Sequence, residues 1–63
     1  MNSIIPLNDK ILFDKPSNLS KPIAKIQKGR VLLLLKCEMD WCKIKTDEIK
    51  GWVKNNNIWG SIN

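Results

Sequence analysis

The apolar positions of this chain fall in short runs, none longer than five residues, separated by polar breaks. The densest stretch is residues 31–44, VLLLLKCEMDWCKI, where an apolar run, an acidic break at Glu38-Met39-Asp40 and a second run follow one another. Two strand-forming runs separated by a few turn residues predict a β-hairpin. Residues 10–13 (KILF) and 23–26 (IAKI) predict two further short strands. Residues 3–7 carry Ile4, Ile5 and Leu7 around Pro6, which removes a ladder donor, so a short edge strand or a cover for one end of the core is expected there. Residues 49–54 (IKGWVK) read as a strand holding Gly51, a residue that weakens a strand unless a backbone or a large side chain must come close to it. Turns are expected at Asn8-Asp9, Gln27-Lys28-Gly29 and Asp47-Glu48. At residues 55–58 the three asparagines predict a turn or one short 3-10 turn before the apolar pair Ile58-Trp59. Residues 14–22 (DKPSNLSKP) read as a loop, because Pro16 and Pro22 bias the lysines before them away from helix. Leu19 is its only large apolar residue and is expected to anchor it. Five to six short antiparallel strands with no helix predict an all-β barrel or small sandwich, with residues 1–63 as a single domain.

The leucine run leaves one choice open. If Cys37 and Cys42 oppose each other in a non-hydrogen-bonded pair, their Cα atoms lie about 4.5 Å apart, within disulfide range. Strict alternation then places Leu33, Leu35 and Ile44 on the cysteines' face and turns Leu32 and Leu34 away. The opposite parity needs a β-bulge near the turn. A period of two is invisible in an unbroken run, so the pattern alone does not choose. Whichever pair faces outward is covered by the N-terminal arm or forms an exposed patch for a partner.

Composition narrows the chemistry. A chain of 63 residues supports only a small core, burying about 60% of its unfolded surface, so a staple is expected. Histidine is absent and there are two cysteines, which excludes a four-ligand zinc site within one chain. The staple that remains is a disulfide between Cys37 and Cys42, with reduced buried thiols as the alternative. A redox role is disfavoured because CxxxxC in a hairpin is not the CxxC of a helix start. No cofactor, metal or catalytic residue is expected: the carboxylates sit in turns, with no shielded pocket to separate their pKa values. The residues at the start lack the basic and apolar segments of a signal peptide, and the longest apolar run is far short of the ~20 residues that span a bilayer. The chain therefore reads as a soluble domain excised from a larger protein, with any export signal upstream. Its net charge is +5, and ten of its eleven cations are lysine. Scattered lysine serves solubility or general attraction to anions rather than bidentate recognition.

The order of motifs resembles a known family. Gly29 and the apolar strand after it, then Asp40-Trp41-Cys42-Lys43-Ile44, then Gly51-Trp52-Val53, are similar to the "G…V…L", "xW.KV" and "GWV" strands of bacterial SH3-like domains. Lys15-Pro16-Ser17 with Pro22-Ile23-Ala24-Lys25-Ile26 is similar to the family's "GPS…PVIA.L" segment, with Lys15 where the family has glycine. The paired cysteines and Ile58-Trp59-Gly60 resemble one proteobacterial branch, and the likeness spans about residues 9–60. It implies a small SH3-like barrel that binds rather than catalyses, usually as an accessory module of a larger exported protein.

Three functions follow as expectations. The first is a binding or targeting module of a bacterial cell-envelope protein, periplasmic or exported, with peptidoglycan or an envelope protein as partner. It would be cytoplasmic if the cysteines are reduced. The second is a small basic nucleic-acid-binding barrel, which needs exposed aromatics for base stacking. The third is a structural module that pairs, as a homodimer or with a missing domain, through the extra leucine face. Trp41, Trp52 and Trp59 either cover a thin barrel or line a groove. The groove, if present, is expected at Trp41, Trp52 and the 14–22 loop, with Leu19, and with Lys15 and Lys21 drawing in anions. The absence of tyrosine argues against a polyproline peptide as ligand.

Overall fold

The computed structural model describes residues 2–47 and 49–60. Seven strands form: β1 (Ser3–Pro6), β2 (Lys10–Phe13), β3 (Pro22–Ile26), β4 (Leu32–Glu38), β5 (Trp41–Thr46), β6 (Ile49–Lys54) and β7 (Ile58–Gly60). They make one antiparallel sheet in the order β3-β2-β6-β5-β4-β1-β7. A flat sheet of that many strands would be roughly 29 Å wide and one strand thick at the usual inter-strand spacing. The observed extents of 27 × 22 × 22 Å show instead a strongly curled, barrel-like sheet. Among the described residues no helix is long and apolar enough to cross a membrane.

The curl wraps the sheet around a core that draws on every strand. Ile4, Leu12, Ile26, Leu32, Ile44 and Val53 come one each from β1 to β6, and Ala24, Leu34 and Ile58 pack against them. Alternation explains most of this choice: Leu12, Ile44 and Val53 are separated by two residues from other inward positions on their strands. Gly51 faces the same interior. A Cβ there would lie 2.7 Å from Leu12 Cγ and 2.8 Å from the Phe13 carbonyl oxygen, so this glycine lets β2 cross close over β6.

The β4–β5 hairpin resolves the parity of the leucine run. Cys37 opposes Cys42 and Lys36 opposes Lys43, yet Leu34 opposes Ile44. Leu35 is the extra residue of a β-bulge, and it is 42% exposed. The bulge returns Leu32 and Leu34 to the core side while the cysteines also pair there. Cys37 and Cys42 are joined by a disulfide with Cα atoms 4.0 Å apart, and Cys42 is fully buried.

Four expectations need correction. Seven strands form rather than five to six, because the segments around Pro6 and Ile58 both enter the ladder. β1 is no edge strand: it pairs with β4 on one side and β7 on the other. Pro6 is tolerated because it is the last residue of the strand, where its carbonyl accepts the Gly29 amide at 2.9 Å. At residues 55–58 the turn forms and the 3-10 alternative does not; Asn57 takes a left-handed φ of 50° and leads into β7. Leu19 anchors nothing, being 96% exposed. Serines hold its loop instead: the Ser20 hydroxyl donates its one proton to the Ser17 carbonyl at 2.7 Å, with the Lys15 carbonyl also in reach at 3.0 Å, and Ser17 Oγ accepts from the Leu19 amide. At the expected Asp47-Glu48 turn, Asp47 has a φ of 52° and pairs with the Arg30 guanidinium, while Glu48 lies outside the described residues.

Candidate binding face

Because successive residues of a strand point to opposite faces, the residues not used by the core of β4, β5 and β6 share one outer surface. On it Lys36 stands directly opposite Lys43, which stands opposite Trp52, which in turn stands opposite Phe13 of β2. Two residues along, Lys45 stands directly opposite Lys50, and in the other direction Trp41 opposes Lys54. Five lysines therefore lie on one face of three adjacent strands. The sole carboxylate of these strands is Glu38, already engaged by Lys36 at 2.9 Å. Like charges directly opposite on a sheet are destabilising, and here they occur twice, at Lys36–Lys43 and Lys45–Lys50.

Two tryptophans form the floor of this face. The edge of Phe13 meets Trp41 at 5.6 Å between centroids, with the rings nearly perpendicular. The Lys54 ammonium sits 5.3 Å from the Trp41 ring centre and the Lys36 ammonium 5.7 Å from that of Trp52. Such cation–π contacts contribute about 0.5–1 kcal/mol each at exposed sites and hold the ammonium groups over the rings. Both tryptophans are only 8% exposed, so the surface offered to a partner is ammonium rather than aromatic.

Beside this face an open pocket of about 250 Å³ lies against β2 and β6, lined by Asn8, Asp9, Lys10, Ile11, Phe13, Lys54 and Asn56. Lys10 shares the inner face of β2 with Leu12 and is only 7% exposed. Its ammonium donates to Asn56 Oδ1 at 2.8 Å, a neutral acceptor, and burial lowers its pKa from the usual lysine value. Asp9 does not neutralise it. Its carboxylate accepts the Lys28 amide at 2.9 Å, the main reason its pKa is lowered, and pairs with Lys25 at 3.5 Å.

Of the residues singled out from the sequence, Trp41 and Trp52 share the outer face, joined through Phe13 and the lysines above them. Lys15, Leu19 and Lys21 are exposed on the loop of residues 14–21, whose stem is closed by the Asp14 amide donating to the Lys21 carbonyl. Trp59 lies on β7 opposite Ile5 and is 66% exposed. Sequence reasoning missed the lysine stripe and Lys10. Both were legible as alternation: Lys43 and Lys45 flank the buried Ile44, and Lys10 lies two residues before Leu12.

A family model described as bacterial SH3 domain matches residues 8–60 of the 63. No curated protein and no solved structure gives a match.

Proposed function

The chain belongs to the bacterial SH3 domain family, and from that premise we propose a non-catalytic module that works in the bacterial cell envelope and docks onto peptidoglycan. The observation that carries this reading is the pair of directly opposed lysines, Lys36–Lys43 and Lys45–Lys50, on one face with Lys54. That arrangement weakens the sheet locally and gains from an anionic partner. Peptidoglycan supplies repeated carboxylates on its peptide stems, and point-charge ammonium groups suit a repeating anion better than a single fixed one. The Cys37–Cys42 bond is compatible with this compartment, since disulfides persist outside the reducing cytosol.

A nucleic-acid role finds less support on this face, because Trp41 and Trp52 lie under lysines; the exposed ring, Trp59, stands on β7, outside the lysine strands. The test is co-sedimentation of the disulfide-intact protein with purified sacculi across a salt series. Binding is expected at about 50 mM salt and should fall steeply toward about 0.5 M, as exposed charges are screened. Failure to pellet at low salt, or tighter retention by a single-stranded oligonucleotide, would overturn the proposal.

A further inference from the structure

We propose that the pocket between β2 and β6 captures the terminal carboxylate of a peptide chain, with Lys10 and Lys54 as the cations that hold it. The inference deepens the peptidoglycan reading and rests on it for the ligand's origin, but the pocket has its own geometry.

Lys10 is the unusual group. An ammonium carries three N–H donors, and the acceptor observed for this one is a single neutral amide oxygen, Asn56 Oδ1 at 2.8 Å. A lysine whose side chain is this covered is ordinarily paired with a carboxylate, and here its ammonium faces an open pocket instead. The carboxylate at hand, Asp9, is turned to the Lys28 amide and Lys25. The pocket thus holds a recessed cation with hydrogen-bonding capacity to spare, and Lys54 adds a second cation on the opposite strand. Asn8 and Asn56 bring amide donors and acceptors, while Ile11 and Phe13 form an apolar wall.

Each part of a chain end has a counterpart here. A carboxylate takes the two ammonium groups, the last amide meets the asparagines, and a small side chain rests on Ile11 and Phe13. Size agrees with this choice: about 250 Å³ is below the ~300–1,000 Å³ of pockets that enclose whole small molecules. Lys54 also belongs to the lysine stripe, so a polymer lying along that stripe can place a chain end in the pocket.

The experiment is an amide-shift NMR titration with N-acetyl-alanyl-alanine and, separately, with its C-terminal amide. Saturable shifts at Ile11, Phe13, Lys54 and Asn56 are expected with the acid, and at least tenfold weaker binding with the amide. Lys10→Met and Lys54→Met should each weaken the acid at least tenfold, and the spectrum of each variant shows whether the fold is kept. Lys54 is partly exposed, which makes that variant usable if Lys10→Met fails to fold. Equal binding of acid and amide, shifts confined to the lysines of β4 and β5, or an acid affinity that neither substitution changes would overturn the proposal. Sacculus binding is scored independently, so a pocket that ignores the dipeptide in a protein that still pellets with sacculi refutes this inference alone.

Discussion

Reduction of the Cys37–Cys42 bond is expected to lower the unfolding free energy by about 2 kcal/mol, the entropic value for so short a closed loop. That is a large share for this chain, since total stability runs at only about 0.05–0.15 kcal/mol per residue. The location adds to the effect. Cys42 is fully buried beside the core, and the bond clamps the end of the hairpin just beyond the Leu35 bulge. The bulge leaves one residue out of the ladder, so the disulfide is the covalent tie that keeps β4 in register with β5 past that point. Urea denaturation with and without a thiol-free reductant checks this: the midpoint should fall while the slope stays nearly constant. Substituting both cysteines by alanine should cost more than reduction, because the buried Cys42 sulfur is then missing as well. A midpoint indifferent to reductant would show that the hairpin needs no staple.

Gly51→Ala is expected to destabilise the fold by about 2–3 kcal/mol, against the usual direction for glycine within a strand. An ordinary strand glycine replaced by alanine gains roughly 0.5–1 kcal/mol from reduced backbone freedom. Here the added carbon would meet Leu12 Cγ at 2.7 Å and the Phe13 carbonyl oxygen at 2.8 Å. Leu12 is completely buried in the core, and Phe13 is the residue through which β2 pairs with β6, at Trp52. Neither can retreat without loosening a strand junction that also sets the Phe13–Trp41 contact. Gly29 provides the contrast. It has a φ of 84° with open space around its Cα, so alanine there should cost only the backbone term, about 1–2 kcal/mol. Thermal midpoints of the two variants test the order; Gly29→Ala falling below Gly51→Ala would contradict it.

Much of this architecture was legible in the chain, and its gaps have physical causes. The hairpin and its cysteine pair were legible because charged and turn residues interrupt the apolar run at Lys36–Asp40. Gly51 was legible as a position of bulge, bend or close approach, and the structure shows the last, Leu12 and the Phe13 carbonyl lying against it. The bulge at Leu35 was not legible, since four successive leucines carry no period and only the packed interior selects which two turn inward. The internal position of β1 was hidden by Pro6, whose missing donor argues for an edge; being the last residue of the strand removes the penalty. Leu19 misled in the other direction, because hydrophobicity alone suggested an anchor where serine hydroxyls hold the loop. On the outer face of β4, β5 and β6, the sequence singles out the two tryptophans but not the lysines over them. Opposition of Lys36 to Lys43 follows directly from the Cys37–Cys42 pairing, which lies on the turn side of the bulge, so this part of the stripe was readable from the hairpin alone.

The lysine face of β4, β5 and β6 is the surface proposed to meet the cell wall. Charge reversal of Lys43, Lys45 and Lys50 to glutamate tests it most directly, since all three side chains point away from the core and their replacement leaves the packed interior intact. Co-sedimentation with purified sacculi at low salt, with native folding of the variant verified by its thermal midpoint, is the measurement. The folded variant is expected to lose at least tenfold in bound fraction relative to the unaltered protein. A folded variant that pellets as well as the unaltered protein would contradict it.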